Sequence, residues 1–446
     1  MKTHLLSLVG LFLCPFLFSQ ISVNGSQIKD LADPTEAQDA VTKAYIQSLE
    51  EKLDKLQNSL AKKGYYSDDI IWQRAEETEQ PISNGNWLYD LRWWYSFSDS
   101  NDNTVIYGRK RILDEEGKTT PCVKKLDTNG EILWEREYDF PITSSFRTSI
   151  ENNSKNGYVI TLFQEDEFEN TLSGLFEINH EGELANYFEP EPVPDMIYFR
   201  DIVSFTNGYV TLSNTFSENN NYGFRIQEFS NKIEPTNSFF VDMDENFTAE
   251  KIIPFQSDYV ICGNTGDNGV VFRINPLTQQ IVWTKNLVAK QTRTIRNIEE
   301  DIFITGVDNR ESWESGFVMK IDQNGDLQDE AYLDHSPIIN MTTHNNDLYL
   351  IGSLNDPNYS SIYGLTGFGS SDVLIHKLNY NLDVIWSKNY GGSRPDSQSR
   401  SSHLFANIHI KNNNNIIIGT DTSSNDFLVE RIKYDTAHWI FEIQNN

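Results

Sequence analysis

Two short stretches place side-chain oxygens at alternating positions: Asp99-Ser100-Asn101-Asp102-Asn103 and Asp322-Gln323-Asn324-Gly325-Asp326. Calcium loops are built that way, but an EF-hand loop also needs a terminal glutamate at fixed spacing, and neither stretch has it. Both also read as tight turns, where Asp and Asn bond back onto their own backbone. The turn is the reading adopted, with Ca2+ kept as the weaker one and no other cofactor or metal expected. His180 stands in a turn with one Glu neighbour, which makes no zinc site. HExxH, GxSxG, P-loop and CxxC patterns are absent, and no pair among the many acids is singled out, so no catalytic residue is assigned. A different chemistry is suggested by Arg310, Trp313, Tyr359, Tyr363, Phe368 and Arg394, which sit in polar, glycine-containing segments. Aromatics with arginine on loops suit contact with a sugar or a peptide. The competing reading is that these rings pack their own loops down.

What could position them? The chain has 446 residues, enough for two or three domains or one large all-β domain. It carries 36 basic and 65 acidic residues, a net of −29, which loss of Lys2 with a signal peptide takes to −30. A field of that sign repels phosphate backbones and anionic lipid, so nucleic acid is not an expected partner. Beyond the first twenty residues only Cys122 and Cys262 remain, 140 positions apart. They are read as two small buried hydrophobes.

Residues 1–20 have the layout of a signal peptide: Lys2 and His4, an apolar run too short to span a membrane, and Ser19 before a cleavage point. Cys14 raises a lipoprotein anchor, but Leu13 and Pro15 fit a lipobox poorly. No second apolar run of about twenty residues follows, so no transmembrane segment is expected in the mature chain. The expected address is secreted or cell-surface.

Residues 21–64 read as a stalk. Asp33, Pro34 and Glu36 make a helix start, and Lys62-Lys63-Gly64 a matching stop. About thirty residues between them give roughly 45 Å of helix. Ile46, Leu49, Leu53, Leu56 and Leu60 follow spacings of 3, 4, 3 and 4, a heptad seam that predicts a short coiled coil and marks these five as oligomerisation residues. An amphipathic helix docked on its own domain is the alternative. Leu31, Asp33, Pro34, Ala37, Asp39, Ala40, Thr42, Lys43 and Tyr45 match a motif. The segment resembles one in bacteriophage tail fibres and bacterial secreted surface proteins, where it leads into a trimeric stalk. The resemblance covers about twenty residues and implies a homotrimer.

From residue 65 the texture changes. A run of three or four apolar residues recurs seven times, often closed by glycine, ending at Gly108, Leu162, Ser213, Gly263, Gly306, Gly352 and Gly419. Each is followed by a second strand, and several then have an Asn-Gly type turn and a third strand carrying tryptophan, as at Trp134, Trp283 and Trp386. A fourth strand precedes each apolar run. Four strands in about fifty residues, seven times, predict an all-β fold, a seven-bladed β-propeller over 65–446. The strand at 438–443 is assigned as the last of the final unit. The strand at 70–76 has no unit before it and either closes the ring on the last blade or adds an outer strand, which leaves six or eight blades open. Residues 370–392 resemble repeats of secreted bacterial propeller proteins, some near quinoprotein-type propellers. Units two, three and five lack the tryptophan, so no quinone is inferred.

In a propeller, alternate connections emerge on one face, conventionally the ligand face. The long segment 354–371, the following 391–402 and 308–315 are expected there together, bringing Arg310, Trp313, Tyr359, Tyr363 and Arg394 into one sector. The expected function is a non-catalytic binding or adhesion protein, a trimer of propellers recognising an extracellular glycan or surface protein, with avidity from three copies. The alternative is a secreted polysaccharide-directed enzyme with its site over the propeller axis; the fold alone does not choose.

Overall fold

The computed structural model describes residues 69–445 except 78, 82–86, 113–118, 140–149, 153–156, 166–170, 189–195, 206–207, 217–221, 244–246, 311–314, 335, 355–371, 392–405 and 423–436. Residues 1–64, read above as a signal peptide and a stalk, with the seam residues from Ile46 to Leu60, lie outside them. The described chain forms seven antiparallel sheets, joined through successive first strands: Trp87–Ser98, Ile150–Asn152, Met196–Phe205, Phe247–Phe255, Lys290–Ile298, Ile338–His344 and Asn407–Ile410. This is a seven-bladed β-propeller with those strands around its axis.

Two details differ from the sequence reading. The strand before each apolar run is the inner strand of the same blade, not the last strand of the blade before it. A fifty-residue period carries no mark of where a blade begins, so the phase is set by how the ring closes. Secondly, Ala437–Ile443 is the third strand of blade seven, and the N-terminal strand Ile70–Glu77 pairs with it as the fourth. The ring is therefore closed by a sheet built from both ends of the chain. Blade one has a fifth strand, Glu79–Pro81, on the inner edge of Trp87–Ser98.

The apolar runs are the second strands, and their side chains pack on both neighbouring blades. That is why they read as continuous hydrophobic stretches rather than alternating ones. Seven buried clusters fill the seven inter-blade spaces, for example Val210, Phe224, Phe247 and Phe272 between blades three and four, and Ile106, Cys122, Ile417 and Ile440 between blades seven and one. Both cysteines are buried and free.

The glycine that closes the run has a steric cause. Opposite it, five inner strands carry a β-bulge at one register position: Trp93/Tyr95 faces Gly108, Phe199/Asp201 faces Ser213, Ala249/Lys251 faces Gly263, Thr292/Thr294 faces Gly306 and Ile338/Asn340 faces Gly352. A Cβ on Gly306 would lie 1.9 Å from the Gln291 carbonyl oxygen, and one on Gly352 2.4 Å from that of Pro337. At Gly306 and Gly352 the bulge brings backbone too close for a side chain.

The third and fourth strands are joined by a five-residue turn whose first residue accepts two backbone N–H groups. Asp127 Oδ1 takes those of Asn129 and Glu131 at 2.8 and 2.9 Å, and Asp322 Oδ1 those of Asn324 and Asp326 at 2.9 Å each. The same turn joins first to second strand at Asp99, whose carboxylate also meets Lys125 Nζ at 2.8 Å and the Tyr158 hydroxyl at 3.0 Å. Burial alone would raise the Asp99 carboxyl, but the bonds from Lys125 and Asn103 hold it below the ordinary range. Both candidate calcium loops are thus turns whose leading carboxylates already bind the protein's own donors.

Three turns also receive a tryptophan from the preceding blade. Trp72, Trp134 and Trp283 lie over Gly130, Gly182 and Gly325, which have φ of 84°, 78° and 82°. The Trp134 and Trp283 indole N–H groups donate to the carbonyls of His180 at 3.0 Å and Gln323 at 2.9 Å. Gly130→Ala would put a Cβ 2.6 Å from the Trp72 ring in a left-handed conformation. It is expected to lose about 2–4 kcal/mol of stability, strain and overpacking together. Gly266→Ala, also left-handed at φ 59° but with nothing within 4 Å, should lose only about 1 kcal/mol; chemical denaturation of the two variants separates the contributions.

Candidate functional site

The two faces of the ring differ. On one, which we call the turn face, lie the tight turns, such as 127–131, 322–326 and 379–383, and the short links 256–257 and 299–300. The chain also enters here, with Gln444 N donating to Asp69 O at 2.9 Å where the other blades have a turn. On the other, the loop face, second strands end and third strands begin, as at Leu354 and Asp372, and one blade leads to the next, as at Leu287 and Lys290. Of the segments at 354–371, 391–402 and 308–315 expected together on one face, the greater part lies outside the described residues. Of the five predicted contact residues, Arg310 is described; Trp313, Tyr359, Tyr363 and Arg394 lie outside the described residues.

Arg310 stands at the rim of blade five. Its side chain is 50% exposed and grips Asp308 with two nitrogens, Nε at 2.9 Å from Oδ1 and Nη2 on Oδ2. Its guanidinium carbon lies 4.7 Å from the Tyr332 ring centre, and Lys290 Nζ approaches the same ring to 5.1 Å while binding Glu330. Burial would raise the Asp308 carboxyl, but the Arg310 bonds and charge hold it low. Arg310 therefore presents one edge of a paired guanidinium, a shape and charge for polar contact, on a base of protein-internal bonds.

Nearer the axis, the bulges create a second set that was not singled out from sequence. The residues left over at the five register shifts are Trp94, Arg200, Glu250, Arg293 and Ile339. Arg200, Glu250, Arg293 and Ile339 are half-buried, whereas Phe199, Asp201, Ala249, Thr292, Thr294, Ile338 and Asn340 beside them are buried. An inner strand has blades on both sides, so solvent reaches it from the axial opening. Bulges re-aim side chains in this way. In blades three to six these shifts lie toward the loop-face ends of the inner strands. Deeper along the axis Lys251 Nζ binds Asp201 at 2.8 Å, and Asp201 also accepts the Ile252 N–H of the next blade at 3.1 Å. In blades one, four, five and six the recurring glycine was the available signal: there it faces a bulge.

Two histidines are held well below their ordinary range. His376 lies between hydroxyls, Nε2 2.9 Å from Ser336 Oγ and Nδ1 2.7 Å from Ser387 Oγ, and burial pushes it down to about 3. His376 and Ser336 are fully buried, so this trio fastens the link between blades five and six and offers no surface to a substrate. His409, on the inner strand of blade seven, is also held down to about 3, first by burial and then by the charges of Arg296 and Lys251. Among the described residues, no group of three or more His, Cys, Asp or Glu is placed to hold a metal ion.

The sequence matches no protein-family model and no curated protein. Among solved structures it is similar to the Dos1 propeller, with TM-score 0.45 and 12% identity over 82% of this chain and 81% of that one. It is also similar to the WD40 domain of Toxoplasma gondii coronin, with TM-score 0.47 and 12% identity over 85% and 90%, and to a Synechocystis apocarotenoid oxygenase mutant, with TM-score 0.41 and 11% identity over 68% and 72%.

Proposed function

We propose that this chain is a secreted or surface-displayed binding protein that recognises an extracellular glycan or surface protein through the loop face of its propeller. The observation that carries the reading is the division between the faces. The turn face is closed by short, internally bonded turns and receives the chain at Asp69. The connection to the preceding residues is therefore made opposite the face where the longer loops open. The strongly perturbed histidines and acids have structural partners, which suits a scaffold held for recognition. On this reading residues 21–64 form a trimeric coiled-coil stalk through Ile46, Leu49, Leu53, Leu56 and Leu60, and three loop faces bind with avidity.

The test is a glycan and cell-surface binding screen on residues 21–446 and on residues 65–446, with light scattering on both. Binding that is strong for the stalked trimer and weak for the stalkless monomer is the expected result. Equal monomer masses would remove the trimer. Turnover of a polysaccharide by the stalkless form would replace the binding reading with that of an enzyme acting over the axis.

A further inference from the structure

We propose that the outer edge of blade four, the strand Gln280–Leu287, is an interface between two copies of this chain, which meet edge to edge across a two-fold axis and continue one four-stranded sheet into the other. The inference goes beyond the reading of the loop face and holds whatever residues 21–64 do.

Three observations lead there. The first is exposure. Gln280–Leu287 is the last strand of its sheet and pairs only with Asn268–Asn275 among the described strands. Its outer side therefore presents a row of backbone groups that can receive another strand. Ile281 and Val282 are exposed on it, and just beyond its two ends stand Leu277 and Val288. These last are the most exposed large apolar side chains among the described residues, at 88% and 76%. Four such residues along one edge of about 25 Å mark a contact surface rather than scattered surface hydrophobes.

The second is charge. Copies of a chain at net −29 repel one another, so a contact between them is favoured where acids are missing. From Asn268 to Ile298 there is no Asp or Glu, and the strand itself carries one charge, Lys285. Other outer strands are guarded by acids, as edge strands commonly are: Glu135 and Glu137 in blade one, Asp242 in blade three, Asp329 and Glu330 in blade five, Glu76 and Glu77 in blade seven. The outer strand of blade two is short and follows Glu183. That of blade six follows Asp383, and Asp69 binds its Lys388.

The third is symmetry. A two-fold contact sets each residue against a fixed partner on the other copy. The strand is bulged at Val282 and pairs without interruption from Trp283 to Leu287, the straight part that a second strand can join. With Thr284 on the axis, each Lys285 falls opposite Trp283 of the other copy. The two lysines are then not directly opposed, a placement that would be destabilising. Blade four also lies across the ring from blade seven, where the chain enters at Asp69, which leaves this edge open to a second copy.

The test is sedimentation velocity of the mature chain over a wide range of concentration. The mean mass should rise to at least twice that of the smallest species, and rise further at higher salt, because screening weakens the repulsion between like-charged copies. Ile281→Glu combined with Val282→Glu sets acids of both copies into one contact. It should abolish the rise and leave the mass of the smallest species unchanged. That mass reports the stalk and its growth with concentration reports the edge, so the two readings fail separately. Thr284→Cys should give disulfide-linked pairs of chains under mild oxidation, since residues directly opposed in antiparallel strands have Cα atoms about 4.5–5.5 Å apart. Glu135→Cys, which also follows the strand's tryptophan in blade one, should not, and the native cysteines are buried. Thermal unfolding checks that each variant folds. A mean mass that stays constant with concentration would leave the edge to a peptide of another protein and overturn the proposal. Association that survives the two glutamates, or cross-linking no faster at Thr284→Cys than at Glu135→Cys, would overturn it as well.

Discussion

Replacing Glu442 by alanine is expected to cost about 3–5 kcal/mol of stability. Glu442 is 2% exposed and its partner Lys411 is wholly buried, 2.5 Å away. The same carboxylate accepts from Trp72 Nε1 at 2.6 Å and from Asn415 Nδ2 at 2.7 Å. It thus joins the N-terminal strand, the third strand of blade seven and the turn after its first strand, which is the place where the ring closes. Removing it leaves a buried ammonium and two donors of half-buried residues without this acceptor, and the desolvation cost of the ammonium above all is then uncompensated. A double variant, Lys411→Met with Glu442→Leu, should recover a large part of the loss, because an apolar pair of similar size replaces both charges. In amide exchange, Ile70–Glu77 should lose protection before the strands of blades three to five. A change below about 1 kcal/mol in Glu442→Ala would show that the pair contributes no more than a surface ion pair does.

Acid is the second large lever. His376 is fully buried and held down to about 3 by burial, against an ordinary value near 6.5. Between those values the unfolded chain binds a proton that the folded chain refuses, so stability rises with pH across that window. The contribution is present in full above about pH 6.5 and is lost as the pH falls toward 3. From pH 7.5 to 4.5 one such group accounts for about 3 kcal/mol. His409 adds in the same direction, with a smaller share because it is only half-buried. Below the ordinary carboxyl range Asp99 and Asp308 add more, since both are held low when folded and must take up protons. His376→Gln can still bridge Ser336 and Ser387 but does not titrate. Its stability should fall less between pH 7.5 and 4.5 than that of the unaltered protein, by about 3 kcal/mol. Equal falls in the two proteins would remove His376 from the account of acid sensitivity.

How much of this is legible in the sequence depends on the physical cause. Blade number is, because a second strand buried on both faces must be apolar throughout, and seven such runs are countable. Turn type is, because a left-handed residue after an Asp or Asn leaves the pattern seen at 127–131 and 322–326. The turns led by Asp99 and Asp322 are legible for the same reason. Blade phase is not, since the inner strand of one blade and the outer strand of its neighbour are adjacent in sequence and alike in length. Ring closure through Ile70–Glu77 depends on residues some 370 positions apart, Trp72 and Glu442, finding each other. The axial set is the least visible: Arg200, Glu250 and Arg293 are single charged residues in unlike strands, and their equivalence appears only once the bulges align them. Arg310 was legible as a loop cation, but its grip on Asp308 and its seat on Tyr332 were not.

The reading of the loop face as the binding face can be tested by blocking each face in turn. The native thiols are buried, Cys262 pushed up to about 12 and Cys122 also raised, so they resist labelling. A cysteine at Val288, which is 76% exposed on the link between blades four and five, places a biotin and then streptavidin on the loop face. Asn381→Cys places them on an exposed turn of the opposite face. In the glycan and cell-surface screen, streptavidin at Val288→Cys should abolish binding and streptavidin at Asn381→Cys should leave it intact; loss of binding from the Asn381 block with retention under the Val288 block would contradict the assignment of the binding face.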